Sequence, residues 1–139
     1  MAVFAITKCE PVQVEKQYTG PAIEAIAEGD RCRHDATTGE IALGNATNAA
    51  EAIPGGLALH AAAIGEAVTI INRGIVDISD GTNPAGFEAL GFGAAVWLDD
   101  DDGQLGTAAA DGTVQTQVGS VVPGWDATTA QKLLYLNGL

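Results

Sequence analysis

Residues 53–78 read IPGGLALHAAAIGEAVTIINRGIVDI, three short apolar runs punctuated by glycine and almost free of reactive side chains. Leu57, Leu59, Ala61 and Ala63 fall on one face of an extended strand, with Ala58, His60 and Ala62 on the other. Ile64-Gly65-Glu66 reverses the chain, and Val68 and Ile70 then alternate with Ala67, Thr69 and Ile71. Asn72-Arg73-Gly74 is the next expected turn, because glycine takes the left-handed position of a short hairpin loop without steric cost. Residues 75–78 supply a third strand. The stretch predicts a β-meander that acts as scaffold, which places function in surfaces and partners rather than in a catalytic cluster.

The flanking sequence extends this pattern in both directions. Val3, Phe4 and Ile6 form a short apolar extended segment. Pro11 lacks an N–H for a sheet ladder, so the run carrying Val12, Val14 and Tyr18 is expected to be an arm or edge strand. Residues 1–19 are therefore expected to form an extended N-terminal arm or edge strand, and residues 20–139 a single β domain opened by the break at Gly20-Pro21. Short strands are expected at 23–27, 30–34, 41–43, 93–99 and 113–122, with a closing strand at 132–136. A helix over 127–136 competes with the last of these, since alanine and leucine are good helix formers. One short helix is expected at 84–90, capped by Asn83 and begun by Pro84. Eighteen glycines without a collagen period, together with short strands and frequent turns, give an all-β chain, a small β-barrel or β-sandwich.

The 139 residues make one domain, long enough to bury roughly 70% of the surface of the unfolded chain. The apolar fraction of 47% is largely alanine and only 5% of residues are aromatic, so the core is expected to be thin and built from Val, Ile, Leu and Ala. A net charge of −12 would be repelled by phosphate backbones and by acidic membrane surfaces, so neither nucleic acid nor membrane is an expected partner. No run approaches the ~20 apolar residues of a membrane-spanning helix, and residues 1–11 lack the basic start and apolar stretch of a signal peptide. Cys9 and Cys32 are accordingly expected to be free thiols in a reducing cytoplasm.

The constellations that suggest chemistry fall short of its requirements. Asp99, Asp100, Asp101 and Asp102 before Gly103 suggest a calcium loop, but with Gly103 at loop position 6 the first and last ligand positions are Leu98 and Ala109. An acidic hairpin tip in water is the expectation, with weak calcium binding there left open. Cys32, His34, Cys9 and His60 lack the close paired spacing of a zinc site. Ser79 and Ser120 sit in no nucleophile elbow, and Gly55-Gly56 lacks the helix and basic residue of a phosphate cradle. No catalytic residue, metal or cofactor is assigned, and the chain is read as non-enzymatic. Ala27-Glu28-Gly29-Asp30 before a basic strand is similar to an edge of lipoyl and biotinyl carrier domains, but no lysine stands at a hairpin tip to take the cofactor.

One order of motifs is more informative. Glu28-Gly29-Asp30 leads a strand; Gly56-Leu57-Ala58-Leu59 is followed by Ala61-Ala62-Ala63-Ile64-Gly65-Glu66-Ala67-Val68, then by Arg73-Gly74-Ile75-Val76. Gly93-Ala94-Ala95-Val96-Trp97-Leu98-Asp99, Asp102-Gly103-Gln104-Leu105 and Val118-Gly119-Ser120-Val121 complete the series. From about Gly20 onward this order resembles the capsid cement, or head decoration, proteins of tailed bacteriophages. That resemblance implies a structural virion protein on the outer capsid surface, made in the host cytoplasm. It also implies a homotrimer that binds the major capsid protein and bridges neighbouring capsomers. Three linked subunits give a high effective concentration over the lattice, and an exposed edge can add to a capsid sheet. On this basis Val3, Phe4 and Ile6 are the expected capsid-binding arm, and Trp97 and Trp125 the expected interface aromatics. The alternative is a free-standing ligand-binding β-barrel in which Trp97 or Trp125 stacks on a glycan.

Overall fold

The computed structural model describes residues 3–4, 6, 8–47, 52, 55–79, 87, 90–107, 113–124 and 132–138. It is all-β, as the glycine-punctuated pattern predicts. The strands are β1 (Val3–Phe4), β2 (Lys8–Pro21), β3 (Arg31–His34), β4 (Ile41–Leu43), β5 (Gly55–Ala58), β6 (Ala67–Ser79), β7 (Ala95–Leu98), β8 (Leu105–Gly106), β9 (Gln117–Pro123) and β10 (Lys132–Asn137). All strand pairs are antiparallel. The closing segment is the strand β10, not a helix, over the residues described there. The expected helix at 84–90 and its Asn83 cap lie almost wholly outside the described residues.

The architecture turns on β6. Along one edge it pairs with β2 from Lys8↔Ser79 to Pro21↔Ala67. Its other edge is shared: β5 takes Ile70 and Ile71, and β10 takes residues 73–76. The sheet therefore forks at Asn72, whose side-chain amide donates to the Gly55 carbonyl across the gap. One branch runs β6-β5-β3-β4 and the other β6-β10-β9-β7-β8-β1. With β2 added on the far side of β6, the longer branch has β1 and β2 as its two edges, and these are consecutive in the chain. Only residues 5–7 separate them, so Phe4 and Lys8 are at most ~15 Å apart. The sheet must therefore curl, as a half-barrel whose edges are brought together by the N-terminal chain.

The turn expected at Asn72-Arg73-Gly74 does not form, and the predicted second and third strands are one 13-residue strand. The glycine serves a different purpose. Gly74 has φ +141°, and a Cβ there would lie 2.1 Å from the Gln13 carbonyl oxygen of β2. It marks a close approach of two backbones beside the register shifts at Val14/Lys16 and Lys16/Gln17, not a reversal. Gly56 works similarly in β5, where a Cβ would meet the Ile71 carbonyl oxygen at 2.3 Å. The expected strand at 57–63 ends at Ala58; His60 Nε2 then accepts from the Thr69 N–H at 3.1 Å, and Ala62 makes an isolated bridge to Ile26. That bridge, with a second between Ala22 and Ile41, is all that forms of the weak strand expected at 23–27.

The fork is buried on both faces. Leu57 pairs with Ile71 and Ala58 with Ile70, and all four are at most 1% exposed. Leu57 and Ile71 join Val76, Ile78, Val96, Leu98, Leu105 and Leu134 in the larger core. Ala58 and Ile70 join Ala22, Ile26, Cys32, Ile41 and Val68 in the smaller one. Each fully buried Leu or Ile contributes roughly 1.5–3 kcal/mol relative to exposure, so the fork is where the two cores lock together. A strand buried on both faces places apolar residues at adjacent positions, as Ile70 and Ile71 do at the fork.

Candidate interaction surface

The predicted arm residues fall at the half-barrel seam. Val3 and Phe4 pair with Gly106 and Leu105 of β8, forming the outermost strand on that side. Ile6 is 7% exposed, belongs to the larger core, and packs under Gly29, where its side chain occupies the space a Cβ would need. Cys9 is likewise buried, and its N–H donates to Glu28 Oε2 at 2.8 Å. From Lys8 onward the chain expected as arm or edge strand is β2, an edge strand paired with β6 in the same sheet.

The surface that stands out is β2. Residues 10–19 are exposed without interruption, so both faces of the strand meet solvent while one edge pairs with β6. Val12 is 42%, Val14 44% and Tyr18 46% exposed. The ribbon of β2 and β6 also differs in charge from the rest of the chain. It carries Lys8, Lys16 and Arg73 against Glu10, Glu15 and Asp77, so it is neutral and the whole excess of −12 lies elsewhere. Lys8 Nζ lies 3.3 Å from Asp77 and 3.7 Å from Glu10, and the Asp77 hydrogen bond and charge raise its pKa. Arg73 Nε lies 3.7 Å from Glu15 Oε1; its pKa is raised first by a side-chain hydrogen bond with Tyr135 and then by Glu15. Lys16 has no ion pair among the described residues.

The free edge of β2 is guarded against strand addition. Pro11 offers no N–H, register shifts interrupt the ladder at Pro11/Gln13, Val14/Lys16 and Lys16/Gln17, and Lys8 and Lys16 place charge on it. What covers this strand must therefore pack on its side chains.

A cavity of about 340 Å³ lies where the sheet forks, lined by Lys16, Gln17, Tyr18, His34, Ile70 and Asn72 among others. Tyr18 meets His34 edge-to-face, with ring centroids 4.8 Å apart and planes at 80°. His34 Nδ1 lies 3.2 Å from the Gly39 carbonyl oxygen. The cavity exists because β5 and β10 diverge from β6, so it is a consequence of topology that no local motif announces.

The aspartate run is the tip of the β7–β8 hairpin, with Asp101 and Asp102 exposed, but it is tied to the rest of the fold. Asp99 is 4% exposed and accepts the Asp101 N–H at 2.7 Å; Asp102 accepts from Asn45 Nδ2 at 2.5 Å; Asp100 accepts from the Thr113 N–H and hydroxyl at 2.8 and 2.9 Å. A backbone clasp holds the loop: Arg31 N–H donates to Gly103 O, Gly103 N–H to Gly44 O, and Gly44 N–H to Arg31 O, each at 2.8–2.9 Å. These carboxylates act as turn acceptors, a role with a structural cause for each. Beside the clasp, burial raises the Asp30 carboxyl and lowers Arg31, which is 2% exposed, to about 10.

Cys32 lies in the smaller core with its thiol 3.3 Å from the Asp30 carbonyl oxygen, whereas Cys9 lies in the larger core. Among the described residues no group of three or more His, Cys, Asp and Glu converges as a metal site would require. Trp97 is half-buried within β7, opposite Gly106 of β8 and Gln117 of β9. Trp125 lies outside the described residues. Sequence reasoning misses the ribbon, although half of the six basic residues cluster on it and could have signalled a neutral strip. Comparison with family models, with curated proteins and with solved structures returned no match.

Proposed function

We propose that this chain is a structural, non-enzymatic protein that binds the outer surface of a tailed-phage head and stabilises the shell by bridging capsomers, as a homotrimer. The observation that supports this reading most directly is that the residues of the cement-protein resemblance form the framework itself. In the turn Glu28-Gly29-Asp30, Glu28 holds the start of β2, Gly29 N–H donates to Ala58 O, and Asp30 O accepts from Ala58 N–H. Gly56-Leu57-Ala58 is in β5, Arg73-Gly74-Ile75-Val76 in β6, and Val96-Trp97-Leu98 in β7. A scaffold of this kind offers edges and faces to a partner. In this reading the backbone edge of β1 is the place where a strand of the major capsid protein adds, and Ile6 anchors that edge from inside the core.

Mixing the purified chain with expanded, undecorated heads is expected to give saturable, stoichiometric binding; heads that sediment without it would sink the proposal. A second reading, a small-ligand module, is favoured by the cavity at the fork, where the stacking aromatic is Tyr18 rather than Trp97. A saturable change in tyrosine emission during a glycan screen, absent in Tyr18→Ala, would favour it over head binding.

A further inference from the structure

We infer that the exposed β2 ribbon, which carries Val12 and presents Val14 on one side of the sheet and Tyr18 on the other, is the element through which copies of this chain meet. The inference deepens the proposed function, whose stoichiometry of three it adopts, by stating where the subunits touch.

Three observations converge on this ribbon. First, ten consecutive residues of a hydrogen-bonded strand are exposed on both faces, about 33 Å of ribbon at the rise of a β-strand. Half of the large hydrophobic side chains found exposed in the described chain, Val12, Val14 and Tyr18, lie within it. Second, the ribbon is neutral while the remainder carries −12. Two copies of so acidic a chain are repelled over most of their surfaces, and here alone among the described strands do three bases offset three acids. Third, Lys16 has no described ion pair beside Glu15, which is committed to Arg73 on its own chain. A neighbouring copy brings carboxylates of the same ribbon within reach.

Because Pro11 and the bulges block continuous strand pairing, the contact is made by side chains, with the ribbon of each copy packed against those of its neighbours about their common axis. Ten residues are fewer than the roughly 20–30 per side of a standard interface. The ribbon is accordingly the centre of the contact, with β6 residues such as Arg73 at its rim.

The test uses the full chain. Light scattering at about 100 µM, where an association of Kd ~10 µM is mostly formed, should show an oligomer. The double variant Val12→Asp/Val14→Asp should be a monomer with unchanged circular dichroism and the melting temperature of the parent chain diluted to its monomer. A second variant, Gln13→Cys, should give a disulfide-linked dimer under mild oxidation, whereas Thr37→Cys, on an exposed loop, should not. A monomeric parent chain overturns the inference, as does a double variant that remains oligomeric, or a Gln13→Cys chain that fails to cross-link. An oligomer dissociated by the double variant that nevertheless fails to bind heads would overturn the proposed function and leave this interface standing.

Discussion

At the scale of single residues, the two cysteines show how burial sets chemistry. Cys9 is 1% and Cys32 0% exposed, and burial pushes both thiols up to about 12, with Glu28 adding for Cys9 and Asp30 for Cys32. The thiolate is the reactive form, so these side chains behave as small apolar groups. The consequence for stability has a definite sign. Below pH ~9 both states hold the proton and nothing changes. Above it the unfolded chain loses protons that the fold keeps, so the unfolded state binds fewer and stability falls, up to the folded value near 12. Each thiol contributes a slope of about 1.4 kcal/mol per pH unit in that window, and both together about 3. Urea unfolding at pH ~8 and ~10 should show this loss, and Cys9→Ala/Cys32→Ala should remove it. An equal loss in the variant would mean that tyrosines or lysines, not the buried thiols, carry the alkaline destabilisation.

At the scale of elements, the seam between β1 and β2 decides what the N-terminus does. Ile6 is packed in the larger core, so Ile6→Ala should cost about 2–4 kcal/mol in urea unfolding, as buried large-to-small changes do. Val12→Ala, on the exposed ribbon, should change stability by no more than about 0.5 kcal/mol. A neutral Ile6→Ala would instead make the segment a free arm. The strands themselves were largely legible, because alternation and glycine punctuation are local signals: Arg31–His34, Ile41–Leu43 and Lys132–Asn137 fall close to where the pattern puts them. Three features were not legible, and each depends on contacts remote in sequence. Gly74 looks the same whether it turns the chain or admits the Gln13 backbone, and only the partner strand distinguishes them. The aspartate run reads as a solvated tip until the loop around Asn45 is placed against it. The cavity of Tyr18 and His34 exists only because two strands part at Asn72.

At the scale of the whole molecule, charge and the neutral ribbon act against each other, and salt separates them. Two compact copies of this length in contact have centres about 35 Å apart. Treated as point charges of −12, they repel by roughly 17 kcal/mol in unscreened water. With a Debye length of ~30 Å at 0.01 M salt roughly 5 kcal/mol of this survives, and at ~8 Å, near 0.15 M, only a few tenths. Ion pairs between exposed side chains at the ribbon are worth at most about 1 kcal/mol each and are also screened. Loss of repulsion therefore outweighs loss of attraction, so self-association through β2 should tighten as salt rises, by about 100-fold or more between ~0.01 and ~0.15 M. Sedimentation velocity across that range measures it directly. The sign is opposite to that of an interface held by ion pairs. Association that weakened with salt would mean that the copies meet at a charged surface, and the neutral ribbon of Val12, Val14 and Tyr18 would not be their contact.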